Sequence, residues 1–179
     1  MENMQNITAI SPKKEELPSI LLSSGAQLRS TGFNKKELYS EIDIEANPEK
    51  VWRILSDFAS FPDWNPFMRS VKGELSVGKK LIVRLQPTGS NGTTFKPTVL
   101  EADRNHEIRW IGHLLIPGLF DGEHILEIVP LDGGKRVHFI QREHFGGLLL
   151  PFLSGMLRKD TSRGFVEMNK ALKERAERP

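Results

Sequence analysis

Cysteine is absent from this sequence of 179 residues. The absence excludes disulfides, thiolate metal sites and cysteine nucleophiles, and it fits a protein of the reducing cytoplasm. A chain of this length is expected to form one domain with an appendage. Because a domain of about 140 residues buries enough surface to fold without disulfides or metals, we predict a cytoplasmic protein with a single core.

Long apolar runs and a surplus of one charge are also missing. No run approaches the roughly 20 apolar residues that span a bilayer, and the first residues lack the basic and apolar regions of a secretory signal. The chain has 25 Lys and Arg against 23 Asp and Glu, which leaves a net charge of +2. Since the two signs are interleaved, a nucleic-acid partner is not expected.

Motifs for cofactors and metals are equally scarce. The chain has no G-x-S-x-G nucleophile turn, no Walker loop and no G-x-G-x-x-G dinucleotide motif. His138 and His144 lie on one face of a predicted strand, but six residues of strand separate them by about 20 Å, too far to share one metal ion. We therefore expect neither a cofactor nor a metal.

Residues 1–37 show neither strand nor helix periodicity and are rich in Ser, Asn, Lys and Glu. Such a composition is typical of a flexible tail. The alternative is that the apolar residues of this segment dock on the domain or on a second copy of it. These residues are Ile20, Leu21, Leu22 and Leu28.

Residues 38–179 show regular patterns and are expected to form the domain. Alternating apolar residues predict a strand at 39–46. Asn47 then supplies a helix cap and Pro48 the first helical position, and the apolar spacing that follows predicts a short amphipathic helix. A proline-rich aromatic turn is predicted at 61–67.

Six further segments alternate between apolar and polar residues and are separated by short turns, which predicts neighbouring antiparallel strands. From Leu150 the apolar spacing predicts one long C-terminal helix. Gly155 and Gly164 are expected either to bend this helix or to leave space for a neighbouring group. The expected fold is α+β, a curved antiparallel sheet of about seven strands wrapped around the long helix, with one or two short helices after the first strand. The six further strands are predicted at 68–74, 80–86, 93–103, 107–115, 123–130 and 136–145.

Matching the apolar faces of neighbouring strands predicts what lies on the concave face of the sheet. The last hairpin sets His124 opposite Gln141, with Glu143 one step further along. The preceding hairpin sets Trp110 beside Leu126. The three polar side chains are therefore expected to share a hydrogen-bond network. They would satisfy one another or a buried water, anchor a ligand, or perform acid–base catalysis, and the sequence leaves these alternatives open.

Two apolar segments, 114–120 and 148–153, fall where loops are normally polar. One interpretation is that they bury each other and close one end of the sheet. The other is that they form the mouth of a cavity and make transient contact with a membrane or a protein partner.

Several short motifs follow one another in an order that resembles the START-like superfamily of helix-grip proteins, specifically the polyketide cyclase/dehydrase and lipid-transport group of SRPBCC domains. The resemblance covers about residues 38–177 and implies a helix-grip fold with a ligand cavity. It implies no particular reaction, because members of the group bind different molecules or catalyse different reactions on one scaffold. The motifs lie at 47–52, 64–67, 100–103, 108–110, 122–124 and 143–147.

Our leading hypothesis is a protein that binds or carries a small, largely apolar, lipid-like or polyketide-like molecule in a mostly apolar pocket. The second hypothesis is an enzyme of the cyclase or dehydratase type in which Glu143 or His124 moves a proton. The third is a co-chaperone-like module that binds protein through the outer face of the sheet. The oligomeric state stays open. The predicted ligand-binding residues are Trp64, Phe67, Trp110, His124, Leu126, Phe139, Gln141, Glu143 and Met156.

Overall fold

The computed structural model describes residues 19–21, 25–87 and 89–179, without the side chains of residues 19–21, 154 and 156–158. Its strands are β1 (Ser19–Leu21), β2 (Gln27–Gly32), β3 (Lys35–Ile44), β4 (Met68–Lys72), β5 (Ile82–Leu85), β6 (Thr93–Phe95), β7 (Thr98–Asp103), β8 (Glu107–His113), β9 (Asp121–Leu131) and β10 (Arg136–Gly146). Its α-helices are α1 (Pro48–Ser56), α2 (Phe61–Trp64), α3 (Leu150–Met156) and α4 (Ser162–Ala176).

Seven strands form one antiparallel sheet in the order β1-β2-β3-β10-β9-β8-β7, and β4, β5 and β6 form a second, smaller sheet. Helix α4 lies against β3 and β10. The apolar side chains between the sheet and the helices form one buried cluster. The predicted fold, an antiparallel sheet of about seven strands around a long C-terminal helix, is confirmed.

Helix α1 begins and packs as its sequence predicts. The Asn47 side chain accepts a hydrogen bond of 2.8 Å from the backbone N–H of Lys50, and Pro48 occupies the first helical turn. The apolar stripe buries Val51 and Leu55. The short helix α2 follows, so two short helices come after the first strand of the domain.

The C-terminal helix is interrupted, whereas the sequence predicts one continuous helix. A π-helical turn at Leu157–Thr161 joins α3 to α4, and such turns are a known cause of helix bends. Gly164 opens the helix surface to a neighbouring group, because a methyl group at this position would overlap the Phe67 ring. Nothing within 4 Å would meet a methyl group at Gly155.

The prediction of a single strand at 93–103 is wrong, because the strand is interrupted and its two halves belong to different sheets. Residues before the break form β6 of the small sheet, and residues after it form β7 at the edge of the large sheet. Pro97 lies at the break. A proline has no N–H for a strand ladder and restricts the residue before it, and here its carbonyl accepts a hydrogen bond of 2.9 Å from the N–H of Leu81.

The sheet begins earlier than residue 38, where the sequence places the boundary between tail and domain. Residues 27–32 form β2, which pairs with β3, and Leu28 is buried in the core. The sequence shows no alternation of apolar and polar residues that would predict this strand, because Leu28 is the only buried position of β2. Residues 1–18 and 22–24, the rest of the predicted tail with Leu22, lie outside the described residues.

No helix in the described part of the chain is both long enough and apolar enough to cross a membrane. The cytoplasmic location stays a prediction.

Candidate ligand-binding site

The polar cluster lies on the inner face of the large sheet, where β9 and β10 run side by side beneath α4. Strand alternation directs His124, Gln141 and Glu143 to this face, together with the buried residues Leu126 and Phe139. Glu143 pairs with His124 across the two strands, and Gln141 pairs with Leu126. The structure thus brings together the three polar residues that the sequence predicts to meet.

The observed register of this hairpin differs by two residues from the predicted one. The prediction folds the hairpin about Asp132-Gly133-Gly134 and sets His124 opposite Gln141, whereas Leu131 pairs with Arg136 and the chain turns through four residues. A 3₁₀ turn with Gly133 at φ 68° forms this loop. Because a shift of two residues keeps every side chain on its own face, the cluster is preserved.

His124 is held at both ring nitrogens. Its Nδ1 lies 3.1 Å from Glu143 Oε2, and its Nε2 lies 3.2 Å from Gln141 Nε2. A neutral imidazole satisfies both contacts, because Nδ1–H donates to the carboxylate and Nε2 accepts from the amide. Both ring nitrogens are therefore engaged within the cluster.

Aromatic rings fix the plane of the His124 imidazole. Trp110 stacks on it with 5.2 Å between ring centroids and an angle of 8°. Phe165 of α4 meets it edge-on, with the centroids 5.2 Å apart. Phe67 contacts Phe165 in turn, at a centroid distance of 5.8 Å. These contacts orient the imidazole toward the two polar partners.

The register of β8 explains the stacking. The sequence prediction sets Trp110 beside Leu126, but the observed pairing sets Trp110 directly opposite His124. As in the last hairpin, the difference is two residues. Trp110 therefore stays on the inner face and meets a different neighbour, because only an odd shift would turn it outward.

Two buried amide oxygens remain without a partner near the cluster. The amide of Gln141 also points at Met168 Sδ, 3.5 Å away, while Gln141 Oε1 is buried without a hydrogen bond. Asn169 of α4 donates to Ser40 Oγ on the adjoining strand β3 at 3.0 Å, and Asn169 Oδ1 has no partner. Buried polar groups are rarely left unpaired, so both oxygens call for a donor such as water or a ligand.

Glu143 is the member of the cluster that reaches toward solvent. Its side chain is 14% exposed, whereas that of His124 is 5% exposed. A methyl group at Gly122 would lie 2.7 Å from Glu143 Oε1, so the missing side chain makes room for the carboxylate. Gly122 pairs with Gly112 on β8. Among the described residues, Glu143 Oε1 has no hydrogen-bond partner.

The apolar residues predicted to line a pocket lie in the core. Phe67, Trp110, Leu126 and Phe139 are buried, and Trp64 is partly buried against the core. The side chain of Met156 lies outside the described ones. Two depressions formed by described residues, of about 420 and 430 Å³, lie elsewhere: the first beside β7, β8 and β9, and the second between α1 and the end of α4.

The aromatic turn between α1 and β4 supplies Phe67. Asn65 is buried, and its Oδ1 accepts hydrogen bonds from the N–H groups of Phe67 and Met68 at 3.0 and 2.8 Å. This turn presents the Phe67 ring to Gly164 on α4. The turn was predicted from the sequence, but the role of Asn65 in it was not.

The segments 114–120 and 148–153 meet at the end of the sheet nearest Glu143. The N–H groups of Leu148 and Leu149 donate to the carbonyls of Gly118 and Leu119, at 3.1 and 2.9 Å. The predicted adjacency is therefore confirmed, but the segments do not bury each other fully, because Leu115, Leu148 and Phe152 are exposed.

Two polar residues of the inner layer, Ser40 and Asn169, are absent from the residues predicted from the sequence. A signal for each was present. Ser40 falls on the apolar face of β3 between Leu38 and Ile42, and Asn169 falls on the apolar stripe of α4. A polar residue at a position that the periodicity assigns to the core is a candidate for a buried network.

No group of three or more His, Asp or Glu side chains in the described part of the chain is placed to hold a metal ion. Chemically, the cluster offers a carboxylate oxygen, Glu143 Oε1, and two amide oxygens. All three accept hydrogen bonds, so the arrangement is suited to a hydroxyl or another donor on a ligand.

A family model described as polyketide cyclase/dehydrase and lipid transport matches residues 35–177. The fold is similar to that of the Zhui aromatase/cyclase from Streptomyces sp. R1128, at a TM-score of 0.66 and 18% identity over 80% of this chain and 94% of that one. It is also similar to a START superfamily protein from Mycobacterium smegmatis, at a TM-score of 0.62 and 23% identity over 79% and 97% of the two chains.

A third similar structure is norcoclaurine synthase from Thalictrum flavum, solved in complex with dopamine and hydroxybenzaldehyde. It aligns at a TM-score of 0.59 and 15% identity, over 78% of this chain and 85% of that one. At these identities the structures show a shared fold. No curated protein matches the sequence. Since the family model covers most of the chain, the protein belongs to the polyketide cyclase/dehydrase and lipid transport family.

Proposed function

We propose that this protein binds and carries a small, largely apolar molecule that bears at least one hydrogen-bond donor. The observation that carries the proposal is the inner-face cluster, in which Glu143 Oε1, Gln141 Oε1 and Asn169 Oδ1 are acceptors without a partner among the described residues. An unpaired buried acceptor costs free energy, and a donor on a ligand would remove that cost.

The arrangement favours binding over catalysis. A general base needs a free lone pair within hydrogen-bond reach of the substrate. The imidazole of His124 is engaged at Nδ1 by Glu143 and at Nε2 by Gln141. His124 therefore orients Glu143 and does not itself take up a proton from a ligand.

The ligand would reach the cluster from the end of the sheet where segments 114–120 and 148–153 meet. Glu143 is three residues from Gly146, the last residue of β10, and this spacing corresponds to about 10 Å along a strand. The paired glycines Gly112 and Gly122 lie between the cluster and this end of the sheet. Phe145, which pairs with Gly122 and stacks on Phe120, lies on this route and would have to move to admit the ligand.

A matched pair of probes tests the proposal. 2-Naphthol and naphthalene share an apolar body, but only naphthol donates a hydrogen bond. Titrations of the full chain, followed by tryptophan fluorescence, are expected to show naphthol binding about tenfold or more tightly, the usual worth of a hydrogen bond to a charged group. Glu143→Leu should abolish this preference.

Glu41→Leu is the matched control, because Glu41 lies on the outer face of the same sheet. The control should keep the preference for naphthol. Equal affinities for the two probes in the wild-type protein, or an unchanged preference in Glu143→Leu, would refute the proposal. Native mass spectrometry of protein purified from its own host would then identify any molecule that copurifies.

One observation favours an enzyme of the cyclase or dehydratase type as the second candidate. Glu143 Oε1 has no partner, and it is the carboxylate oxygen that a substrate would meet. If Glu143 is a general base, Glu143→Gln should slow turnover of a polyketide-like substrate by about 100-fold or more. A carrier would retain binding in the same variant.

A further inference from the structure

Exposed apolar side chains gather at one end of the large sheet. The turn between β2 and β3, the loop between β8 and β9, and the segment after β10 all lie at this end, because these strands are antiparallel neighbours in the sheet. We call this surface the apolar rim. It consists of Phe33, Leu114, Leu115, Ile116, Leu148 and Phe152.

The side chains of the rim are far more exposed than apolar residues usually are. The exposed fraction is 94% for Phe33, 84% for Leu115, 83% for Phe152 and 70% for Leu148. Scattered exposed apolar residues are normal, but a contiguous group of this size marks a contact surface. Two of the three segments were predicted from the sequence, whereas the exposed Phe33 was not.

Backbone contacts hold two segments of the rim in place. The N–H of Leu114 donates to the carbonyl of Phe120 at 2.9 Å, and the N–H of Leu148 donates to Gly118 at 3.1 Å. Gly147 adopts φ 111°, and a methyl group there would lie 2.6 Å from the carbonyl oxygen of Leu119. Backbone hydrogen bonds and close packing at Gly147 therefore fix the loops that carry the exposed side chains.

Acidic side chains beside the rim are engaged by other groups of the protein. The carboxylate of Asp121 accepts hydrogen bonds from the N–H of Gly118 and lies 2.7 Å from His113 Nδ1. Glu37 pairs with Arg29 and His144.

Residues 32–36, 114–118 and 148–153 contain two lysines, Lys35 and Lys36, and no acidic residue. The two lysines pair with Gly146 and Phe145 across β3 and β10, so they lie directly beside the segment that carries Leu148. No ion pair among the described residues involves either lysine.

We infer that the apolar rim docks on an anionic lipid surface, with the leucine and phenylalanine tips entering the interface and Lys35 and Lys36 contacting the headgroups. Peripheral binding of this kind combines buried apolar area with attraction to anionic lipids. The inference does not depend on the interior binding a ligand.

The composition of the rim favours lipid over a protein partner or a second copy of the chain. Protein interfaces are enriched in aromatic residues, Met and Arg and depleted in Lys. The three segments contain two phenylalanines, Phe33 and Phe152, but no Tyr, Trp, Met or Arg, and they contain two lysines. Apolar tips on separate loops can each enter a lipid interface, whereas a protein partner would have to fit all of them at once.

Flotation of the full chain with phosphatidylcholine vesicles, with and without phosphatidylglycerol, tests the inference. We expect binding to increase strongly when the anionic lipid is added. The double variant Leu115→Ser, Phe152→Ser should lower the partition coefficient by at least about tenfold, because each side chain removes a large apolar area from the interface. Lys35→Glu should lower it by about fivefold or more on anionic vesicles.

Val77→Ser is the matched control, since Val77 is an exposed apolar residue outside the rim. Its partition coefficient and melting temperature should match those of the wild-type protein. Vesicle binding that is unchanged in the double variant would overturn the inference. So would the absence of binding to anionic vesicles, or self-association of the free protein that the double variant abolishes. Because no ligand is present, failure here leaves the naphthol titration unaffected.

Discussion

The two faces of the large sheet carry the same pair of groups, a histidine beside a carboxylate, in opposite surroundings. On the inner face, the side chains of His124 and Glu143 are 5% and 14% exposed. On the outer face, those of His138 and Asp43 are 29% and 53% exposed, with 2.6 Å between Nδ1 and Oδ1. The shorter contact is the more exposed one.

The difference shows that distance alone does not measure what a pair contributes. Water and salt screen the outer pair, and exposed ion pairs generally contribute little to stability. The inner pair is enclosed by Trp110, Phe165 and Gln141, so each of its groups depends on the other for a partner. Four predictions test this comparison and follow in order of decreasing effect.

Trp110→Ala is expected to have the largest effect. The ring is buried and stacks on His124, so its removal should lower the free energy of unfolding by about 3–5 kcal/mol. Urea denaturation would measure the loss. A clearly smaller loss, accompanied by weaker naphthol binding, would show that a ligand and not protein packing fills this part of the inner face.

Gly164→Ala should destabilise the protein although alanine is the better helix former. The new methyl group would overlap Phe67, and overpacking of a core typically costs about 1–3 kcal/mol. Gly155→Ala is the matched control, because its methyl group would meet nothing and should stabilise the helix by up to about 1 kcal/mol. Changes of the same sign in both variants would contradict the contact between Phe67 and α4.

Glu143→Ala and Asp43→Ala compare the two pairs directly. Removing Glu143 leaves the Nδ1–H of the buried His124 without its acceptor, which should cost about 1–3 kcal/mol. Removing Asp43 leaves His138 in contact with water and with Glu41, so the loss should be much smaller. Equal losses, measured by urea denaturation at one pH, would show that burial does not distinguish the two pairs.

His138→Gln should have the smallest effect on stability, and this effect should depend on pH. The hydrogen bond between the two groups raises the pKa of His138 above 6.5 and lowers the pKa of Asp43 below 3.8. The stabilisation from His138 is complete below pH 6.5 and disappears as the pH rises through the raised pKa. That from Asp43 is present above pH 3.8 and disappears as the pH falls through the lowered pKa.

The outer pair therefore contributes most between these two ordinary pKa values. The melting temperature of the wild-type protein should fall more between about pH 6 and pH 8 than that of His138→Gln. Added salt should reduce the difference, because both groups are accessible to solvent. Identical pH profiles for the two proteins would remove His138 as a source of pH dependence.

Prediction from sequence succeeded where a repeating pattern controls structure. The two-residue period of β9 and β10 placed His124, Gln141 and Glu143 on one face, and the cap at Asn47 marked the start of α1. Prediction failed where a single residue or loop determines the strand boundaries or the register. Pro97 divides a strand between two sheets, and the four-residue loop after Leu131 shifts the register.

Periodicity and turn residues were enough to predict the fold class and the face of the sheet on which each strand residue lies, because these signals act over short distances. Which side chains touch one another depends on tertiary packing. The stacking of Trp110 on His124, the contact of Phe67 with Gly164, and the rim that joins Phe33 to the loops after β8 and β10 depend on register and on helix packing. These arise between segments far apart in the chain, where no local pattern specifies the partner.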